Sequence, residues 1–76
     1  MNRTRLVKTD QFAAVDEDDN RYIILEYTEF AVVRVPGGSQ EIPGLKGYQL
    51  GHGEPVNKLS ETEFEAVESG TKLRRL

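Results

Sequence analysis

From Arg21 to Phe30 the side chains are spaced for an extended chain. Tyr22 and Ile24, with Glu26, fall on one side, while Ile23, Leu25 and Tyr27 fall on the other. The segment is rich in β-branched and aromatic residues, which pack well on a pleated surface. Both of its faces are apolar at the centre, so the pattern predicts a central strand. Upstream, Gln11–Val15 reads as a short strand, and Asp16-Glu17-Asp18-Asp19-Asn20 separates the two. Asp and Asn side chains accept hydrogen bonds from nearby backbone and tolerate left-handed conformations, so these five residues predict the turn of a hairpin.

Ala31–Val35 continues as strand into the turn cluster Pro36-Gly37-Gly38-Ser39, with a short return over Gln40–Ile42. Six of the seven glycines lie between Gly37 and Gly53. Glycine at that density costs backbone entropy in any regular element. The segment therefore reads as a chain of turns with one short strand, Lys46–Leu50. Gly51–Glu54 turns the chain into Pro55–Leu59.

Two patterns compete in residues 60–69. Ser60 as N-cap, Glu63 three residues on, Phe64 for a hydrophobic staple and Gly70 as the stop describe a short helix. Its apolar face would be thin, chiefly Phe64 and Val67. The alternative is a hairpin of Glu63–Glu68 and Thr71–Leu76 over a two-residue Ser69-Gly70 turn. The hairpin is the preferred reading, because one thin helix needs a sheet face to rest on that is not otherwise evident. The resulting fold class is mainly β: a small curled sheet or barrel of five to seven short strands, with a short helix near 60–69 as the competing element.

Length and composition narrow this further. At 76 residues, 37% hydrophobic and 30% charged, the chain supports one domain over 1–76, with residues 1–8 as a flexible lead. It has no cysteine, so neither disulfides nor thiolate metal sites can staple the core. Apolar runs such as Tyr22–Leu25 and Ala31–Val33 are far below the roughly 20 residues of a spanning helix. No export-type apolar segment follows the basic start either, so a cytoplasmic location is expected by elimination, with no membrane partner.

The net charge of −3 hides a block pattern. Arg3, Arg5 and Lys8 open the chain, and Lys72, Arg74 and Arg75 close it. Between them lie acidic stretches over Asp10–Glu29 and Glu54–Glu68. Opposite-sign segments facing one another across a sheet explain the blocks most simply. The sharper alternative joins both termini in one basic patch for an anionic partner.

Few constellations suggest chemistry. Asp16, Asp18 and Asn20 match the first ligand positions of a calcium loop, but Arg21 stands where its glycine should be and Tyr27 where its bidentate glutamate should be. His52 is the single histidine and lies between Gly51 and Gly53. It cannot form a zinc site without converging carboxylates. Gly44, Gly47, Gly51 and Gly53 fit no phosphate-binding loop. The acids cluster in polar segments, where a carboxyl is solvated rather than tuned for acid catalysis. The expectation is a non-enzymatic chain with no cofactor, no metal and no catalytic residue.

A small β-barrel reading single-stranded nucleic acid is the principal alternative, with Phe12, Tyr22, Tyr27, Phe30, Tyr48 and Phe64 beside Arg21, Arg34 and Lys46. Against it, most of these rings are needed to build a core, and the acidic blocks repel phosphate. Nucleic acid is therefore not the expected partner.

The run Gly47-Tyr48-Gln49-Leu50-Gly51-His52-Gly53-Glu54-Pro55-Val56-Asn57, followed by Phe64-Glu65-Ala66-Val67 and Ser69-Gly70-Thr71-Lys72-Leu73-Arg74-Arg75, resembles the C-terminal half of small uncharacterised bacterial proteins. They share a Y-x-L-x-x-G-x-P-V-N pattern, then F-x-x-V, a Ser/Thr-Gly turn and a terminal leucine with basic residues. The resemblance implies β structure around Phe64–Leu73 and a bacterial accessory protein. It carries no known activity. The functional expectation is a protein-interaction module of unknown partner, with a homodimer in view because short sheets leave edges unpaired. Tyr48, His52 and Asn57, on and beside the glycine-flanked turn, are the candidate partner-binding residues.

Overall fold

The computed structural model describes residues 3–76. Six strands run in chain order: β1 (Arg3–Val15), β2 (Arg21–Val35), β3 (Gly38–Leu50), β4 (Pro55–Lys58), β5 (Glu63–Ala66) and β6 (Lys72–Arg75). Each pairs antiparallel with the next, and β6 returns to β1 through Ala14↔Arg75 and Val15↔Arg74. The result is a closed barrel, with no helix among the described residues.

Strand length decides the shape. β1, β2 and β3 have 13, 15 and 13 residues, whereas β4, β5 and β6 have four each. The short strands reach only the barrel-side ends of the long ones: β4 pairs with Tyr48 and Gln49, and β6 with Ala14 and Val15. Beyond that level β1–β3 run on together as a three-stranded arm. The molecule measures 54 × 21 × 20 Å.

The core lies wholly at the closed end. Ala14, Ile24, Leu50, Val56, Phe64, Ala66 and Leu73 are buried together, and Phe12, Tyr22 and Tyr48 pack against them. The Phe64 ring is the hub, 5.3 Å from Phe12 and edge-on to Tyr48 at 5.5 Å. Tilted and edge-to-face pairs of this kind favour ring over ring beyond the area they bury.

The mainly β barrel, and a hairpin rather than the competing helix after residue 62, are as expected; three details need correction. Residues 38–50 form one continuous strand rather than a chain of turns. Pro43 falls on an edge strand beside a bulge, the two settings that tolerate its missing N–H. At the bulge, a Cβ on Gly44 would lie 3.2 Å from the Glu29 carbonyl oxygen, so glycine permits the close approach.

No helix forms over 60–69. Ser60 Oγ does accept bonds from the backbone N–H of Thr62 and Glu63, at 3.3 and 3.1 Å. Residues 63–66 are nevertheless strand, because Phe64 and Ala66 are each 1% exposed, and only alternation buries two residues spaced by two. The hairpin after β5 also has a longer loop than Ser69-Gly70. Ala66 N–H bonds Thr71 O and Gly70 N–H bonds Ala66 O, so residues 67–70 form the connection, with Gly70 at φ 72°.

The long strands extend further than expected at the N-terminus. Arg3–Lys8 pair with β2 from Val32 to Tyr27, so this part of the expected flexible lead is strand. Met1 and Asn2 lie outside the described residues.

Candidate functional site

Register places each side chain of the arm on one of two faces. The inner face continues the barrel interior and carries Arg3, Arg5 and Val7 of β1, Thr28, Phe30, Val32 and Arg34 of β2, and Ser39, Glu41 and Pro43 of β3. Its apolar centre is covered, because Arg5 reaches across β2 to Glu41 with N–O distances of 2.8 and 3.0 Å. The outer face carries Thr4 and Leu6, then Glu29, Ala31, Val33 and Val35, then Gln40, Ile42 and Leu45. No ion pair straddles it among the described residues. Leu6, Ile42, Val35 and Leu45 are exposed there, Leu45 to 82%.

Where arm meets barrel, both outer strands bulge. β1 carries one extra residue at Thr9, and β3 carries one between its partners for Thr28 and Phe30. Bulges add local twist and re-aim side chains. Here they gather a polar cluster at the barrel mouth. Thr9 Oγ1 donates to Glu26 Oε1 at 2.7 Å, and Tyr48 OH donates to Glu26 Oε2 at 2.9 Å. Because the Thr9 proton goes to Glu26, the buried Thr28 hydroxyl donates to Thr9 Oγ1 at 2.8 Å. Lys46 Nζ stands 3.9 Å from Glu26 Oε1.

The Thr9 hydrogen bond, overcoming partial burial and joined by the Tyr48 bond and the Lys46 charge, holds the Glu26 carboxyl below its usual value. Burial first, and the Glu26 carboxylate second, push the Tyr48 phenol up to about 12. An ionised carboxylate with both oxygens engaged and a neutral phenol form a structural lock at this junction.

The three sequence candidates do not converge. Tyr48 faces the barrel interior, its ring against Phe64 and its hydroxyl on Glu26. His52 is exposed in the β3–β4 turn, its Nε2 3.5 Å from Glu54 Oε1. Asn57 is exposed on β4, opposite Glu65 and on the other side of the strand from Val56. Tyr48 and Val56 are register partners, so Asn57 faces away from Tyr48 across the barrel wall.

Glu54 ties this turn to the last hairpin. Its Oε2 accepts from Ser69 N–H at 3.0 Å and Ser69 Oγ at 3.1 Å. The Ser69 backbone donor is the main cause of a lowered Glu54 value.

The calcium-like loop is an internally bonded turn. Asp16 Oδ1 accepts from the N–H groups of Asp18 and Asn20, and Oδ2 from Asn20 Nδ2 and Tyr22 OH, all within 3.0 Å. Burial works to raise the Asp16 carboxyl, but these donors outweigh it and leave it lowered. Asp19 completes the turn at φ 63°. No group of three or more metal-ligating side chains occurs among the described residues.

The basic ends are also separated. Arg3 and Arg5 lie at the far end of β1, whereas Arg74 and Arg75 pair with its barrel end. Charges are met locally instead, Lys72 by Glu65 at 2.9 Å and Arg75 by Asp10 at 3.7 Å.

The residues that sequence reasoning passed over are the outer positions of the arm. Their signal was the odd-numbered apolar series of β2, which continues from Ile23 past Glu29 to Val35. Its outward direction follows from which face of β2 the barrel closes over, and that is set by the non-local return of β6 to Ala14 and Val15. No family model, curated protein or solved structure matches this chain.

Proposed function

We propose that this chain is a small non-enzymatic accessory module that docks a protein partner through its arm. One observation carries the reading: half of each long strand extends beyond a finished core and leaves aliphatic side chains in water. The radius of gyration is 15.3 Å, where a compact chain of this length has about 11 Å. Exposed apolar patches of this kind mark interaction surfaces.

Charge supports an arm distinct from the barrel. Residues 3–9 and 28–46 carry five basic side chains (Arg3, Arg5, Lys8, Arg34, Lys46) and two acidic ones (Glu29, Glu41). The remainder of the chain carries five basic and eleven acidic. The nucleic-acid reading draws on this basic excess. Four of its six rings, Phe12, Tyr22, Tyr48 and Phe64, are packed at the barrel core. That leaves Phe30 as the single ring on the inner arm face beside Arg3, Arg5 and Arg34, too few for a run of stacked bases.

Photo-crosslinking in the expressing cell tests the proposal. A photoreactive residue at Ile42 should give a discrete protein adduct, and one at Asn57 should give none. Equal adducts from both positions, or none from Ile42, would overturn it. Retardation of an oligonucleotide at low salt, lost in Arg3→Ala/Arg34→Ala, would instead favour nucleic acid.

A further inference from the structure

We infer that the occupant of the outer arm face is a second copy of this chain, two arms packing face to face about a two-fold axis. This rests on the docking reading above and names its partner. Three observations select it.

The first is which surfaces are guarded. β1 and β3 are both open edges along the arm, but each carries features that discourage strand addition. β1 has Arg3, Arg5, Lys8 and the Thr9 bulge, and β3 has Glu41, Pro43 and the Gly44–Leu45 bulge. The inner face is covered by the Arg5–Glu41 pair. The outer face has no such protection among the described residues.

The second is charge. A two-fold interface sets a patch against itself, so like charges on it would meet. The inner face, with Arg3, Arg5 and Arg34 against Glu41, would repel its own copy. The outer face holds Glu29 and, at its barrel end, Lys8 opposite Tyr27. Its charges cancel, and its centre at Ala31, Val33 and Ile42 has none.

The third is area. The chain exposes 5476 Å², whereas a compact protein of 8.6 kDa exposes about 4700 Å². The excess of about 800 Å², shared by the faces and edges of the arm, is comparable with what one partner contributes to a standard stable interface. Sheets stacked face to face lie about 10 Å apart and interdigitate side chains of this size.

Sedimentation of the full chain at high micromolar concentration tests the inference. The wild type should sediment at twice 8.6 kDa. Val33→Glu should weaken self-association by about a hundred-fold or more, since it sets two unpaired charges in an apolar contact. Ile42→Lys, on an exposed edge-strand position, should do the same and guards against a folding defect in the first variant. Arg34→Ala, on the opposite face, should remain dimeric. A wild type that stays monomeric overturns the inference, as does a dimer that survives both outer-face variants or dissociates equally in Arg34→Ala. A monomer whose Ile42 still crosslinks a different protein in the cell would leave the docking reading standing and remove only the second copy.

Discussion

The two ends of β2 belong to the same strand and have similar sequences, yet they live in different solvents. At the barrel end Ile24 is fully buried beneath Phe64 and Leu50. At the arm end Phe30 and Val32, equally apolar and on the same inner face as Ile24, have β1 and β3 beside them but no described strand across from them, and are only part-buried. The difference originates elsewhere in the chain, in the four-residue lengths of β4, β5 and β6. A strand cannot bury a face that no other element reaches. Hydrophobicity alone therefore does not locate a core; the lengths of the neighbouring strands do.

The sharpest break of this comparison is a pair of truncations. Phe64→Ala should cost about 3–5 kcal/mol, since it empties the centre of the core. A chain of this length has a total stability of about 4–11 kcal/mol, so the variant should be largely unfolded at modest urea concentrations. Ile42→Ala in the arm, measured on dilute protein, should lie within about 0.5 kcal/mol of the wild type. Equal shifts in the two urea midpoints would show that the arm shares the barrel's cooperative core.

Next in size is the junction. Glu26→Ala removes the acceptor of both Thr9 and Tyr48 and leaves Thr28 joined to a freed hydroxyl. A loss of about 1–3 kcal/mol is expected from unpairing such groups. Hydrogen exchange separates local from global effects. Amides of residues 28–35 should lose protection before those of Ala14 and Ile24, because Glu26 links the arm to the barrel rather than filling the core. Uniform loss at both ends would assign Glu26 to the barrel instead.

Titration adds a smaller effect of defined sign. Asp16, Glu26 and Glu54 are all held below their ordinary values of 3.8, 4.5 and 4.5. A carboxyl lowered in the native state contributes stability above its unfolded value and loses it as pH falls through the native one. Stability should therefore be flat near neutrality and decline below the ordinary carboxylate range, with Glu26→Gln and Glu54→Gln giving shallower acid limbs. Tyr48 works in the opposite direction. Raised from 10 to about 12, it stabilises the fold below 10, and that contribution disappears as pH rises through this interval. Tyr48→Phe should flatten the alkaline limb of a denaturation series.

These effects also mark how far the sequence was legible. The first hairpin was, because Asp16–Asn20 determine their own turn through Asp16's carboxylate, a local matter. The β character of the C-terminal hairpin was legible from the thin apolar face a helix would have had and from the Ser69-Gly70 turn, although Ser60 also made the bonds of a helix cap. The glycine-rich strand was not. Gly44 and Pro43 report a bulge and an edge only once their partners Glu29 and Phe30 are known, and that pairing is non-local. The candidate site failed for a related reason. Tyr48 and Asn57 looked like neighbours of an exposed turn, but strand parity sends one inward and the other outward, and parity depends on a register that the Gly51–Glu54 turn alone does not set.

The smallest expected effect lies at that turn. His52 is 68% exposed at its side chain and meets only Glu54 Oε1, at 3.5 Å. A pair whose imidazole stands this far in water contributes about 0–1 kcal/mol, and Glu54, itself largely covered, keeps its two Ser69 donors without it. The turn itself is closed by backbone bonds, Leu50 N–H to Glu54 O and Gly53 N–H to Leu50 O, both 2.8 Å, which involve no imidazole. His52→Ala should therefore leave the urea midpoint, the sedimentation coefficient and any Ile42 crosslink unchanged. If the crosslink disappeared while the midpoint held, binding would belong to the turn at the closed end of the barrel, and the division between a folding end and a docking end would be the wrong way to cut this molecule.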